Sequence, residues 1–170
     1  MLILSKYGVH GAWLAGVLVA TAVSPLTAGA SDAELIDVAG RIDYGYYASD
    51  SRIVAAARAD LERLPVSKSA RSYYLGYSAY RLSQLTSPAN YRARRELLAS
   101  CIDAAAAALH ESAWAVEVWV LIAACALEGR VDPVRASGYD LRLSEALDAA
   151  RELDPDHPRL LLIAALALAA

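Results

Sequence analysis

The chain has 170 residues, with 16 Lys+Arg against 19 Asp+Glu, 57% hydrophobic side chains, no Phe and two cysteines. That length allows one domain of ordinary size with a real core. A net charge of −3, with both signs interspersed along the chain, argues against the basic face that nucleic acid requires.

Met1 to Ala30 has the form of a secretory signal peptide. Lys6 is its only charged residue, an apolar run covers Ala12 to Val23, and Ala28-Gly29-Ala30 offers small residues for cleavage before Ser31. A retained anchor would need an apolar core nearer 20 residues. The expectation is an exported chain, periplasmic or secreted, whose mature part (residues 31–170) carries 15 Lys+Arg once Lys6 is removed.

From there helical periodicity dominates, and the alternating β-branched runs of strands are nearly absent. Ser31-Asp32-Ala33-Glu34 reads as a capping box opening a first helix, with Leu35, Val38, Ala39 and Ile42 on its apolar face up to Gly45. A second helix fits Asp50 to Leu64, stopped by Pro65, with Ile53, Ala56, Ala57 and Leu61 on one face. A third runs from about Ser69 to Leu85, since the residue before Pro88 avoids helical geometry. The fourth runs from Pro88 or Tyr91 to Leu109, the fifth from about Ala113 to Leu127 with Gly129 ending it, and the sixth from Tyr139 to Leu153. A seventh begins at Pro158. Short polar turns between them mean antiparallel neighbours.

The odd-numbered helices share a frame around a small residue: Leu35-x-x-Val38-Ala39-x-x-Ile42, Leu75-Gly76, Trp119-x-x-Ile122-Ala123-x-x-Ala126 and Leu161-x-x-Ala164-Ala165-x-x-Leu168. Ala39, Gly76, Ala123 and Ala165 lie 37, 47 and 42 residues apart, the self-similarity of a helical array. With Ala150-x-x-Leu153-Asp154-Pro155, these residues make the chain resemble the tetratricopeptide repeat family over most of 31–170. It departs from that family in spacings longer than about 34 residues, and in Ala113 where a closing proline is usual. The resemblance implies an all-α fold of antiparallel hairpins stacked as a short solenoid, about three and a half pairs with the last incomplete. The alternatives are an irregular all-α bundle or a HEAT-like array.

Little here supports enzymology. His110 and His157 are far apart and have no Cys, His or carboxylate at helical ligand spacing, so each reads as solvated or dipole-compensating and no metal is expected. No nucleophile elbow or phosphate-cradling glycine loop is present, so neither catalysis nor a cofactor is expected. Glu96, Asp103 and Glu111 read as solubilising charges, and Arg92-x-Arg94-Arg95 as a polar face with Glu96, although a phosphate or headgroup site is the rival reading.

Tyr73, Tyr77 and Tyr80 fall at i, i+4 and i+7, one stripe with Arg81 beside it. The tetratricopeptide frame implies that this stripe lies on the concave face, where the family holds segments of partner proteins. The same frame sets Glu117, Val120, Leu127 and Glu128 in the middle of that groove, and Arg159 and Leu162 at its end. The alternative is that the rings fill core positions in a chain without Phe.

Cys101 and Cys125 come level across the turn near Ser112 on facing sides of helices four and five. A disulfide is geometrically allowed in an oxidising compartment, and two buried thiols are the alternative.

Pro158 to Ala170 spans about 20 Å as a helix, too short for a hydrocarbon core of about 30 Å. Arg159 is its only charge, so it lacks the basic face of an interfacial helix. It reads as a first helix without a second: an open edge of a truncated or partner-capped array, prone to self-association through residues 158–170, or a helix folded back on helices five and six. The expected function is an exported scaffold or interaction module for a protein or peptide partner. The alternative is a membrane-associated or apolar-ligand-binding protein that uses the terminal helix.

Overall fold

The computed structural model describes residues 28–110, 114–132 and 134–169, so most of the expected signal peptide lies outside the described residues. Among the described residues there are seven helices and no strand. They are α1 (Ala28–Tyr47), α2 (Ser51–Leu61), α3 (Lys68–Leu85), α4 (Tyr91–Ala108), α5 (Ala115–Gly129), α6 (Ala136–Leu153) and α7 (Pro158–Ala169).

Local chemistry sets several ends. The side chains of Asp50, Ser67 and Asn90 accept from the backbone N–H of Arg52, Ala70 and Ala93, capping α2, α3 and α4. α1 begins at Ala28, ahead of the expected capping box. α5 ends at Gly129 as expected, and Tyr139 of α6 packs there so tightly that a Cβ on Gly129 would sit 2.5 Å from its ring.

The strongest packing joins α1 to α2, α3 to α4 and α5 to α6, with α4 also on α5 and α2 on α3. Each odd-numbered helix also touches the next odd one: α1 on α3, α3 on α5, α5 on α7. α5 is the centre of the main core. It is apolar around its whole circumference, so Val118 and every residue from Val120 to Ala126 are buried. Small residues let its neighbours approach: Ala105 and Ala108 from α4, Ala146 and Ala150 from α6. A second core joins α1 and α2 through Val38, Ile42, Val54, Ala57 and Leu61, and Tyr74 and Tyr77 of α3 pack against both cores. On α2 this buries Val54 in place of the expected Ala56, which is exposed.

Polar ties cross the seams. Arg58 of α2 donates to the Leu75 carbonyl (2.6 Å) and Ser78 Oγ (3.0 Å) of α3, and to Ser100 Oγ of α4 (3.3 Å). Arg92 pairs with exposed Glu96 as expected, but Arg94 and Arg95 do not join that face. They turn inward to Glu128 and to the buried carboxylate of Asp132, 2.6 Å from Arg95 Nε. Cys101 and Cys125 are joined by a disulfide, fully buried between α4 and α5 with α carbons 6.5 Å apart.

The largest correction concerns α7. The repeat frame turns Leu161, Ala164, Ala165 and Leu168 inward, yet Leu160 and Ile163 are the buried pair, while Leu161 is 54% and Leu168 92% exposed. One residue of phase is about 100° of rotation. A helix that is apolar all round gives no polar stripe to fix its phase. Tertiary contacts set it instead: Arg159 on Glu117 of α5 (2.9 Å), and Arg130 donating to the Ala167 carbonyl (3.1 Å). Among the described residues no helix is long and apolar enough to cross a membrane.

Candidate functional site

The separation of seven positions from Tyr73 to Tyr80 is about two turns of α3, so three phenol rings line one side of that helix. Opposite them stand Glu117, Val120, Leu121 and Ala124 of α5. Arg159, Leu162 and Ile163 of α7 close one side, and Tyr47 of α1 approaches from the other. Together these residues enclose a groove of about 350 Å³. It brings together Tyr73, Tyr77, Tyr80, Arg81, Glu117, Val120, Arg159 and Leu162, which the sequence frame assigned to one face. Leu127 and Glu128 are corrected: Leu127 packs at the edge of the core, and the Glu128 carboxylate is drawn to Arg94.

The floor is rigid. Tyr73 is 6% exposed, lies nearly parallel to Tyr77 with centroids 6.4 Å apart, and meets Tyr74 and Trp114 at 5.1 and 5.5 Å. Such offset and edge contacts add to simple burial. The Tyr77 hydroxyl donates to Asp43 Oδ1 of α1 (2.5 Å) and accepts from Arg81 Nε (3.0 Å) and Nη2 (2.8 Å). Arg81 Nη1 continues to Gln84, whose Nε2 donates to the Tyr80 hydroxyl (3.1 Å). The Arg81 guanidinium also lies 4.1 Å from the centroid of the Tyr46 ring.

The other end is built around Glu117, which accepts from Arg159 Nη1 at 2.9 Å and faces His157 Nε2 at 3.3 Å. His157 is therefore not the solvated residue expected from sequence. Its Nδ1 is buried and has no hydrogen-bond partner among the described residues. The signal was out of reach of sequence spacing, because the Glu117 contact spans 40 residues.

Comparison with protein-family models, curated proteins and solved structures finds no match. The groove must be read from its own chemistry.

Among the described residues no group of three His, Cys, Asp or Glu is placed to hold a metal ion. A wider depression of about 440 Å³ beside Ile102, Arg135 and Arg142 has none of the unpartnered buried polar atoms on its walls.

Burial, with Glu117 adding to it, pushes the Tyr73 phenol up to about 12. Burial and the hydrogen bond to Asp43 raise Tyr77, and burial with the nearby Glu128 charge raises Tyr80. A phenol raised above its ordinary value near 10 favours the fold in its neutral form. This contribution is complete below about pH 10 and is lost as pH rises through about 12. Phenolate absorbance during an alkaline titration should therefore show a late class that appears together with loss of helical circular dichroism, reduced in Tyr73→Phe and Tyr77→Phe. Complete ionisation near pH 10 with the helices intact would contradict the packing described for the floor.

Proposed function

We propose that this chain is an exported interaction module, built as stacked helical hairpins of tetratricopeptide-like type, which holds a segment of a partner protein in the groove between α3, α5 and α7. The observation that carries the reading is convergence: side chains separated by up to 116 positions, from Tyr47 to Ile163, line one groove with an aromatic floor. Tyrosine suits such a surface because it offers a large apolar ring with little conformational freedom to lose, and a hydroxyl that tolerates water. Export is supported by the composition of residues 1–30 and by a disulfide, which persists in oxidising compartments.

Leu162 gives the test that least disturbs the fold, since it lines the groove yet is 57% exposed. Cross-linked capture by the tagged full chain should lose its specific partner on Leu162→Glu while the melting temperature stays within about 2 °C, as befits an exposed site. Equal capture by both proteins would remove the groove from the account.

The bare side of α7 favours a second reading. Leu161, Leu162, Leu166 and Leu168 are all exposed on a helix whose only charge is Arg159, a surface suited to lipid, an apolar ligand or a second copy. Flotation of the wild-type chain with phosphatidylcholine vesicles, abolished by Leu168→Glu, would favour that reading over the groove.

A further inference from the structure

α7 forms one side of the groove through Arg159, Leu162 and Ile163, yet little of it is buried. Among its described residues only Leu160 and Ile163 are buried, whereas α5, on which it packs, buries Val118 and every residue from Val120 to Ala126. An element with few buried apolar contacts opens locally before the molecule unfolds.

The polar ties of this segment are unevenly placed. Arg130 donates to the Ala167 carbonyl near the far end of α7. At the near end two ties converge on one carboxylate: Arg159 Nη1 lies 2.9 Å from Glu117 Oε2, and His157 Nε2 lies 3.3 Å from Glu117 Oε1. Glu117 stands in the first turn of α5, where the helix dipole favours its charge whether or not α7 is docked. Its side chain is 35% exposed and that of Arg159 62%, so parting them returns both to water at low cost, as a latch requires.

The chain before this latch is a short turn. α6 ends at Leu153, Asp154 has extended backbone (φ −154°, ψ 93°), and Pro155 and Asp156 are exposed. Asp154 holds the turn by accepting from the backbone N–H of Asp156 at Oδ1 (3.2 Å) and of His157 at its carbonyl (3.3 Å). A few such residues between two helices can absorb a large dihedral change while their neighbours keep their shape.

On the reading of the groove as a segment-binding site, which it deepens, we propose that α7 is a hinged wall: it leaves α5 as one unit about Asp154–His157, is latched shut by Glu117, and opens to admit a segment between α3 and α5. Away from α5, a helix of 12 residues is marginal in water, so exchange of its amides reports its departure.

Hydrogen–deuterium exchange of the free full chain at fixed pH, read on peptides from every helix, tests this. In the wild type the amides of α7 should exchange together, at least about tenfold faster than those of α5. Glu117→Gln keeps the size of the side chain and removes its charge. It should speed α7 by about threefold to tenfold, the effect of weakening two partly exposed contacts, and leave α1 to α4 as they were. Arg159→Gln should act in the same direction, yet add less than about twofold to Glu117→Gln, because the contact it serves is already gone. α7 exchanging in step with α5, or unmoved by Glu117→Gln, overturns the hinge and leaves the groove standing. Acceleration spread through all the helices overturns it too, since Glu117 would then support the whole fold. Equal capture by wild type and Leu162→Glu removes the segment-binding reading instead, and with it the purpose of the opening.

Discussion

Reducing the Cys101–Cys125 bridge should lower the free energy of unfolding by about 3.5 kcal/mol, the chain-entropy value for a loop of this length. For a domain of this size that is a fall of about 10 °C in melting temperature. The bridge closes a 24-residue separation and ties α4 to α5 at the most buried level of the core. Its loss also bears on the groove, because Ala124, next to Cys125, forms part of the groove wall. Thermal melts with and without reductant, and of a Cys101→Ala/Cys125→Ala variant, measure the effect. Coincident melts would mean that the bridge contributes nothing to the fold.

The second large effect lies at the same seam. A Cβ on Gly76 would sit 3.0 Å from the Cys101 carbonyl oxygen and 3.2 Å from the Ala105 nitrogen, both backbone atoms of α4. Backbone cannot rotate away as a side chain can, so α3 and α4 must separate. Gly76→Val should cost about 3 kcal/mol by overpacking. Gly76→Ala should cost less than about 1 kcal/mol, because the helical gain of Ala over Gly offsets part of the clash. Urea denaturation gives both values. In the reduced protein α4 is released from α5 and can yield, so the Val penalty should shrink, a coupling expected of sites that share a seam. A Val variant as stable as the wild type would contradict the close approach of α3 and α4.

Much of the helical order was legible, for reasons visible in single residues. Asp50 and Pro158 mark starts because the side chain of one and the ring of the other act on the first turn alone, and such local chemistry is written in neighbouring letters. Tyr73, Tyr77 and Tyr80 share a face for the same reason: helical spacing places them together before any tertiary contact forms. What sequence missed is tertiary. α7 was mis-phased because Leu161 and Leu160 are equally apolar, and only Glu117 and Arg130, on or beside a different helix, decide between them. Arg94 and Arg95 looked like partners of Glu96 four residues away or less, yet they answer to carboxylates 34 and 37 positions on. His157 looked solvated for want of a local carboxylate, and met one 40 positions back.

The central claim is that partners enter between α3, α5 and α7. Site-specific photo-cross-linking tests it most directly, with a photoreactive residue at groove position Leu162 in one protein and at Leu141 of α6, 64% exposed and outside the groove, in another. The account predicts a discrete adduct from Leu162 that disappears when unlabelled partner is added in excess, and none from Leu141. Adducts from Leu141 alone, or of equal yield from both positions, would contradict it.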